Sequence, residues 1–165
     1  FGDTLSGVVG TGGDDTLDGG EGADHLYGDT LQGTYTTGGA DTLTGGAGDD
    51  DLYGDSDSGA VTEGGSDTFV FDTSTDFGSD TVHDAGNGGT EDALRFTGVP
   101  DSSYGDLGDL DLVSSITDSG AGGDVTVTMD DDGASVTVSG VGTGAITSAV
   151  DLDATPEIRI EVTHP

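Results

Sequence analysis

The sequence predicts an all-β solenoid with about 26 residues per coil, followed by a β-rich C-terminal cap. Two observations carry that expectation. Residues 19–27 and 45–53 each match the nine-residue pattern G-G-x-G-x-D-x-U-x in full, where U is a large apolar residue. Residues 2–27 also superimpose on 28–53 without a gap, and a third copy starting at Gly54 stays in phase as far as Phe69. Self-similarity at a fixed period means stacked copies of one unit, each of which buries its apolar face only against its neighbours.

Within each unit the elements follow from residue type. A glycine-rich turn, with backbone angles that side chains disfavour, leads into a short strand. The U position of that strand turns one apolar side chain inward. The expected inward series is Leu17, Leu26, Leu43, Leu52, Phe69, Val82 and Leu94, with Leu17, Leu43 and Phe69 on one sheet and Leu26, Leu52 and Val82 on the other. The eight-residue spacers 28–35 and 54–61 are expected to bulge from one common edge, with 2–9 above them. From 66 onward the pattern degenerates into an apolar strand around Phe69 and Phe71, a weak turn and strand ending at Val82, and a last unit at 87–96. These units assign 1–99 to the repeat array and 100–165 to the cap.

In the cap, Val125, Val127 and Met129 alternate with Thr, residues 130–133 (Asp-Asp-Asp-Gly) turn the chain, and Val136 and Val138 resume the alternation. That is a hairpin near 125–139. Residues 107–116 fit either a short helix or a strand. Ile158, Ile160 and Val162 give a final strand.

Composition narrows the function. Thirty-four acidic against two basic residues leave a net charge of −32, and only 30% of residues are apolar. Such a chain does not collapse unaided. One large residue per half-coil is a thin core and does not offset the entropy of ordering 33 glycines. Asp recurring beside glycine at fixed intervals suits a hard cation, because Ca²⁺ takes six to eight oxygen ligands and tight glycine turns present carbonyls. The charge argues against nucleic acid and anionic membrane surfaces as partners. There is no cysteine to form a disulfide, and no membrane span is recognisable. The chain opens on Phe1, so a fragment or processed product is expected.

The phased repeats of 10–99 resemble the RTX (haemolysin-type calcium-binding) repeat family. The stretch from Asp67-Thr68-Phe69 to Leu94-Arg95-Phe96 resembles the end of the repeat domain in serralysin-type secreted proteases. The resemblance implies a right-handed parallel β-roll with Ca²⁺ between turns stacked on the same edge. Carried over, the first edge would use Asp24 and Asp50 with carbonyls of Gly19, Gly20, Glu21, Gly22, Gly45, Gly46, Ala47 and Gly48. The second edge would use Asp15, Asp41 and Asp67, with carbonyls around Gly10, Gly12, Gly13, Gly38, Gly39, Gly64 and Gly65. Asp80 is a further ligand in a weaker turn, and Asp92 occupies another. On the second edge Thr11, Thr36, Thr37, Thr62 and Glu63 stand where the pattern has glycine. Asp3, Asp29 and Asp55 recur in phase inside the spacers, and are read as solvated turn residues ahead of ligands.

No catalytic constellation emerges. His25, His83 and His164 are scattered and read as exposed histidines, and neither a zinc helix nor a nucleophile elbow is present. The Thr residues preceding the U positions reflect β propensity ahead of a binding ladder. Tyr27 and Tyr53 are expected to cover a coil edge. The resulting expectation is a non-enzymatic, secreted or cell-surface module folded by several Ca²⁺ ions and suited to type I secretion. Two alternatives stand beside it: the C-terminal module of a secreted hydrolase or epimerase, and a surface-layer, adhesin or filament protein whose copies assemble through calcium. Residues 157–165 do not resemble the secretion-signal end of the family.

Overall fold

The computed structural model describes residues 4–8, 12–35, 37–55, 60–61, 64–85, 91–99, 113–129, 133–142, 144–146 and 158–163. All regular structure among them is β. Strands β2 (Thr16–Glu21), β5 (Thr42–Ala47), β8 (Thr68–Asp72), β10 (Asp92–Thr97) and β14 (Ile158–Val162) form one five-stranded sheet, in the order β14-β10-β8-β5-β2. Strands β3 (His25–Tyr27), β6 (Asp51–Tyr53) and β9 (Ser79–Val82) form a second sheet. Every pairing among these eight strands is parallel. This is a parallel β-roll.

Register confirms the coil. Leu17 pairs with Leu43, Leu43 with Phe69, and Phe69 with Leu94. On the other sheet Leu26 pairs with Leu52, and Leu52 with Val82. All seven residues of the inward series are buried. Successive coils are offset by 26 residues until β6 meets β9, where the offset is 30. The added residues form the turn before β9, and Phe77 in that turn is buried against Phe71 with ring centroids 5.6 Å apart.

The spacers differ from expectation. They are not bulges but strands: β1 (Thr4–Val8), β4 (Thr30–Tyr35) and β7 (Ala60–Val61) stack in parallel as a third sheet. Thr4 pairs with Thr30 and Thr34 with Ala60, so they keep the phase of the coils and share one side of the roll. The backbone of β4 (Thr-Leu-Gln-Gly-Thr-Tyr) is paired through the copies on either side of it.

The 113–116 segment, open between helix and strand, is strand β11 (Val113–Asp118); 101–112 lie outside the described residues. β12 (Val125–Met129) and β13 (Ser135–Val138) form the expected hairpin, with Val127 opposite Val136. β11 pairs antiparallel with β12, and β13 runs parallel beside β9. β14 runs parallel beside β10, with Leu94 paired to Ile160. The C-terminal strands therefore continue both sheets of the roll and cover the edges that β9 and β10 would otherwise leave open. Arg95 and Arg159, the chain's two basic side chains, hold that last pairing together, each 2.7 Å from a different oxygen of Glu161. Burial disfavours the charge on Glu161, but the Arg95 hydrogen bond and the two arginine charges outweigh it and keep the pKa below its usual value.

Candidate metal centre

Strand stacking places the phased Asp residues directly above one another. From Asp41 and Asp50 onward, each accepts an N–H of the preceding coil with one carboxylate oxygen. On the first edge, Asp50 Oδ1 accepts from the Asp24 N–H at 2.8 Å, and Asp80 Oδ1 from the Asp50 N–H at 3.0 Å. On the second edge, Asp41 Oδ1 accepts from the Asp15 N–H, Asp67 Oδ1 from Asp41, and Asp92 Oδ1 from Asp67, at 2.6–2.9 Å. These are two vertical ladders, one carboxylate per coil. They bring Asp15, Asp41 and Asp67 together on one edge and Asp24, Asp50 and Asp80 on the other, as the spacing predicts. Asp92 extends the second ladder.

The second oxygen of each carboxylate is the informative one. Oδ2 of Asp24, Asp41 and Asp50 is buried and accepts no hydrogen bond. A buried acceptor without a partner loses its hydration and gains nothing in return, which costs about 1–3 kcal/mol and more for a charged group. These oxygens lie against backbone turned toward them. A Cβ on Gly19 would stand 2.9 Å from Asp24 Oδ2, and one on Gly45 would overlap Asp50 Oδ2. Across coils, the Gly46 Cα faces the Gly20 carbonyl, the Gly48 Cα faces that of Gly22, and the Gly65 Cα faces that of Gly39. Small residues, carbonyls and orphaned carboxylate oxygens thus line both edges. That donor set is all oxygen and suits Ca²⁺.

Among the predicted carbonyl donors, Gly12, Gly13, Gly38, Gly39, Gly64 and Gly65 flank the second edge. Gly19, Gly20, Glu21, Gly22, Gly45, Gly46, Ala47 and Gly48 flank the first, where the Ala47 carbonyl accepts from the Gly22 N–H at 2.8 Å. Gly10 lies outside the described residues. Among the described residues no three His, Cys, Asp or Glu side chains converge on one point.

Electrostatics mark the same groups. Burial, reinforced by neighbouring carboxylates and only partly offset by backbone N–H donors, pushes Asp41, Asp55 and Asp80 up to about 7 and Asp67 up to about 9. Asp50 is raised for the same reason. Carboxylates packed this way repel unless a cation or proton intervenes.

Three further features escaped the sequence reading. Asp29 and Asp55 are not solvated turn residues; they are 2% and 1% exposed. Asp3 lies outside the described residues. Asp14 and Asp49, at the variable fifth position of the repeat, also bridge coils, accepting from the Ala40 and Ser79 N–H groups at 2.9 and 3.0 Å. His83 is half-buried where an exposed histidine was expected: it stacks on Tyr53 at 4.3 Å, and its Nε2 lies 2.7 Å from Asp51 Oδ1. Tyr53 in turn stacks on Tyr27 at 4.7 Å, so the edge-covering tyrosines form a column. His25 is exposed, and His164 lies outside the described residues.

Comparison with protein families matches the RTX calcium-binding nonapeptide repeat (4 copies) to residues 8–34 and 35–59. Those two segments hold the first two coils, with Asp15, Asp24, Asp41 and Asp50 of the ladders. Repeats of this type are calcium-binding structural repeats, and Ca²⁺ is the ion they bind. No curated protein matches the chain.

Proposed function

We propose that this RTX-repeat chain is a non-catalytic module that folds when it meets millimolar Ca²⁺ outside the cell or at the cell surface. The observation that carries this reading is the pair of carboxylate ladders, in which Asp41 and Asp50 each commit one oxygen to the preceding coil while Oδ2 of Asp24, Asp41 and Asp50 is buried without a partner. Bound cations would satisfy those oxygens and neutralise the column. In low calcium, repulsion among 34 acidic groups favours the open chain. In millimolar calcium, binding free energy becomes folding free energy. Such a chain would cross a type I secretion channel unfolded and fold on arrival.

The ligands we assign are Asp24, Asp50 and Asp80 on the first edge, and Asp15, Asp41 and Asp67 on the second. The glycine, Glu21 and Ala47 carbonyls of the same turns complete them. We place the division between the repeat array and its cap at 99/100. The hairpin β12–β13 and strand β14 then serve to close the last coil.

Circular dichroism with and without EGTA tests the reading. A β-rich spectrum should appear with calcium and collapse in chelator. The same spectrum and melting temperature in both would sink it.

A further inference from the structure

The second edge lacks glycine at several pattern positions, and something buried stands beside it instead. Each coil leaves β3 or β6 through a Gly-Asp dipeptide, 28–29 or 54–55, that opens the spacer. Both dipeptides are buried. Their carboxylates point back across the corner to the second-edge turns. Asp29 Oδ2 accepts from the Gly39 N–H at 3.1 Å, and Asp55 Oδ1 from the Gly65 N–H at 3.0 Å. The Cα atoms of Gly12 and Gly38 lie so close to Asp29 and Asp55 respectively that a side chain at either position would collide with the carboxylate.

The approach is mutual. Asp41 is 1% exposed, and its Oδ2, which accepts no hydrogen bond, is aimed at the Gly28 corner. A Cβ on Gly28 would collide with both Asp41 Oδ2 and the Gly54 carbonyl oxygen, so these two oxygens face one small space. The next coil repeats the motif, with Asp67 Oδ2 against Gly54. Asp29 and Asp55 are among the charges that act on Asp41, and Asp55 acts on Asp67. Carboxylates enclosed together in this way repel when ionised unless a cation stands between them.

We propose that Asp29 and Asp55 are cation ligands: with Asp41, Asp67 and the Gly54 carbonyl they hold a row of hard divalent ions at the corner between the spacer sheet and the second edge. The spacer is then part of the metal-binding machinery. Its first two residues bring in a carboxylate and a carbonyl from outside the nonapeptide. Two carboxylates balance one divalent cation, and the oxygen-only donor set selects Ca²⁺ over softer metals. This site rests on the calcium reading above.

The test compares the wild-type chain with Asp29→Asn/Asp55→Asn and with the first-edge variant Asp24→Asn/Asp50→Asn. Asparagine keeps an acceptor for the Gly39 and Gly65 N–H groups and removes only the charge. Bound Ca²⁺ per chain is measured by equilibrium dialysis with elemental analysis, and midpoints by calorimetry. The spacer variant should bind fewer ions, or bind that fraction at least about tenfold more weakly, a scale at which even outer-shell partners of a metal register. Unchanged count and midpoint would overturn the proposal while leaving the first-edge assignment intact. Failure of the wild-type chain to bind calcium would instead remove the broader reading. Should the spacer variant not fold at any calcium concentration, wild-type crystals grown with Tb³⁺ decide: anomalous density between Asp29 or Asp55 and Asp41 or Asp67 supports the site, and its absence there refutes it.

Discussion

Gly20 and Gly46 occupy the same step of successive repeats, and both have positive φ, 93° and 106°. They differ in what a methyl group would meet. At Gly20 nothing lies within 4 Å of a Cβ, whereas at Gly46 the Cβ would overlap the Gly20 carbonyl of the coil above. Gly20→Ala should therefore cost only the left-handed backbone, roughly 1–2 kcal/mol. Gly46→Ala should cost more, because the coils must also part at that edge. Thermal melts in saturating calcium check the order, and equal losses would contradict the stacked geometry. The carboxylates make a second residue-scale prediction. Asp41, Asp55 and Asp80 have folded values raised to about 7, and Asp67 to about 9, above the usual 3.8. Between those limits the folded state holds protons that the unfolded chain has released, so stability without metal falls as pH rises. The metal-free chain should be most structured below about pH 4 and lose structure through pH 7 and beyond. Calcium should reverse this order, since protons compete with it for the same oxygens. Circular dichroism against pH in EGTA and in calcium reads both slopes. Period alone exposed the ladder residues, because an Asp before each apolar position recurs without exception through three coils. It did not expose Asp29 and Asp55, since Gly-Asp in a spacer has the same local signature as a solvated turn. Only the closeness of Gly12 and Gly38 shows where those carboxylates point.

At the scale of elements, each strand contributes one or two inward side chains, so the position of a strand in its sheet sets the value of its core residue. Leu52 is fully buried in β6, between β3 and β9. Leu26 is 5% exposed in β3, the last strand of the same sheet. Leu52→Ala should cost about 2–5 kcal/mol in calcium, the range for a buried leucine that leaves a cavity, and Leu26→Ala less, because one side of its site can relax. Denaturant melts in saturating calcium would expose the error if the two losses came out equal. The inward series was readable because apolar residues recur singly against a background of glycine and Asp. The strands of the spacer were not, although Thr30 to Tyr35 has β-prone residues: Gly33 interrupts the sequence alternation between Leu31 and Tyr35, and the parallel pairing with β1 and β7 spans a whole coil. The alternation of Val125 to Val138 revealed the hairpin. Its docking beside β9, and that of β14 beside β10, depend on pairings across more than 50 residues that no local pattern encodes.

The whole molecule is a contest between a net charge of −32 and a core that holds one or two large side chains per half-coil. Two physical accounts of the proposed calcium dependence separate cleanly. If diffuse repulsion alone opened the chain, any salt that screens charge would close it, since the Debye length falls to about 3 Å near 1 M. Screening acts on exposed charges, however, and Asp41, Asp50, Asp67 and Asp80 are each 1–2% exposed. The orphaned oxygens of Asp41 and Asp50 need a ligand within bonding distance, not an ionic atmosphere, and a monovalent ion supplies half the charge and a weaker hold on six to eight oxygens. About 1 M NaCl in EGTA should therefore compact the unfolded chain without producing the β-rich spectrum, while millimolar CaCl₂ at low salt should produce it in full. Mg²⁺ should fall short as well, because it keeps its own waters and demands an octahedral site that stacked turns do not offer. Far-ultraviolet circular dichroism reports the fold and small-angle scattering the dimensions. Folding by NaCl alone would show that the ladders are ordinary acidic surface, and that charge density, not ligation, governs this roll.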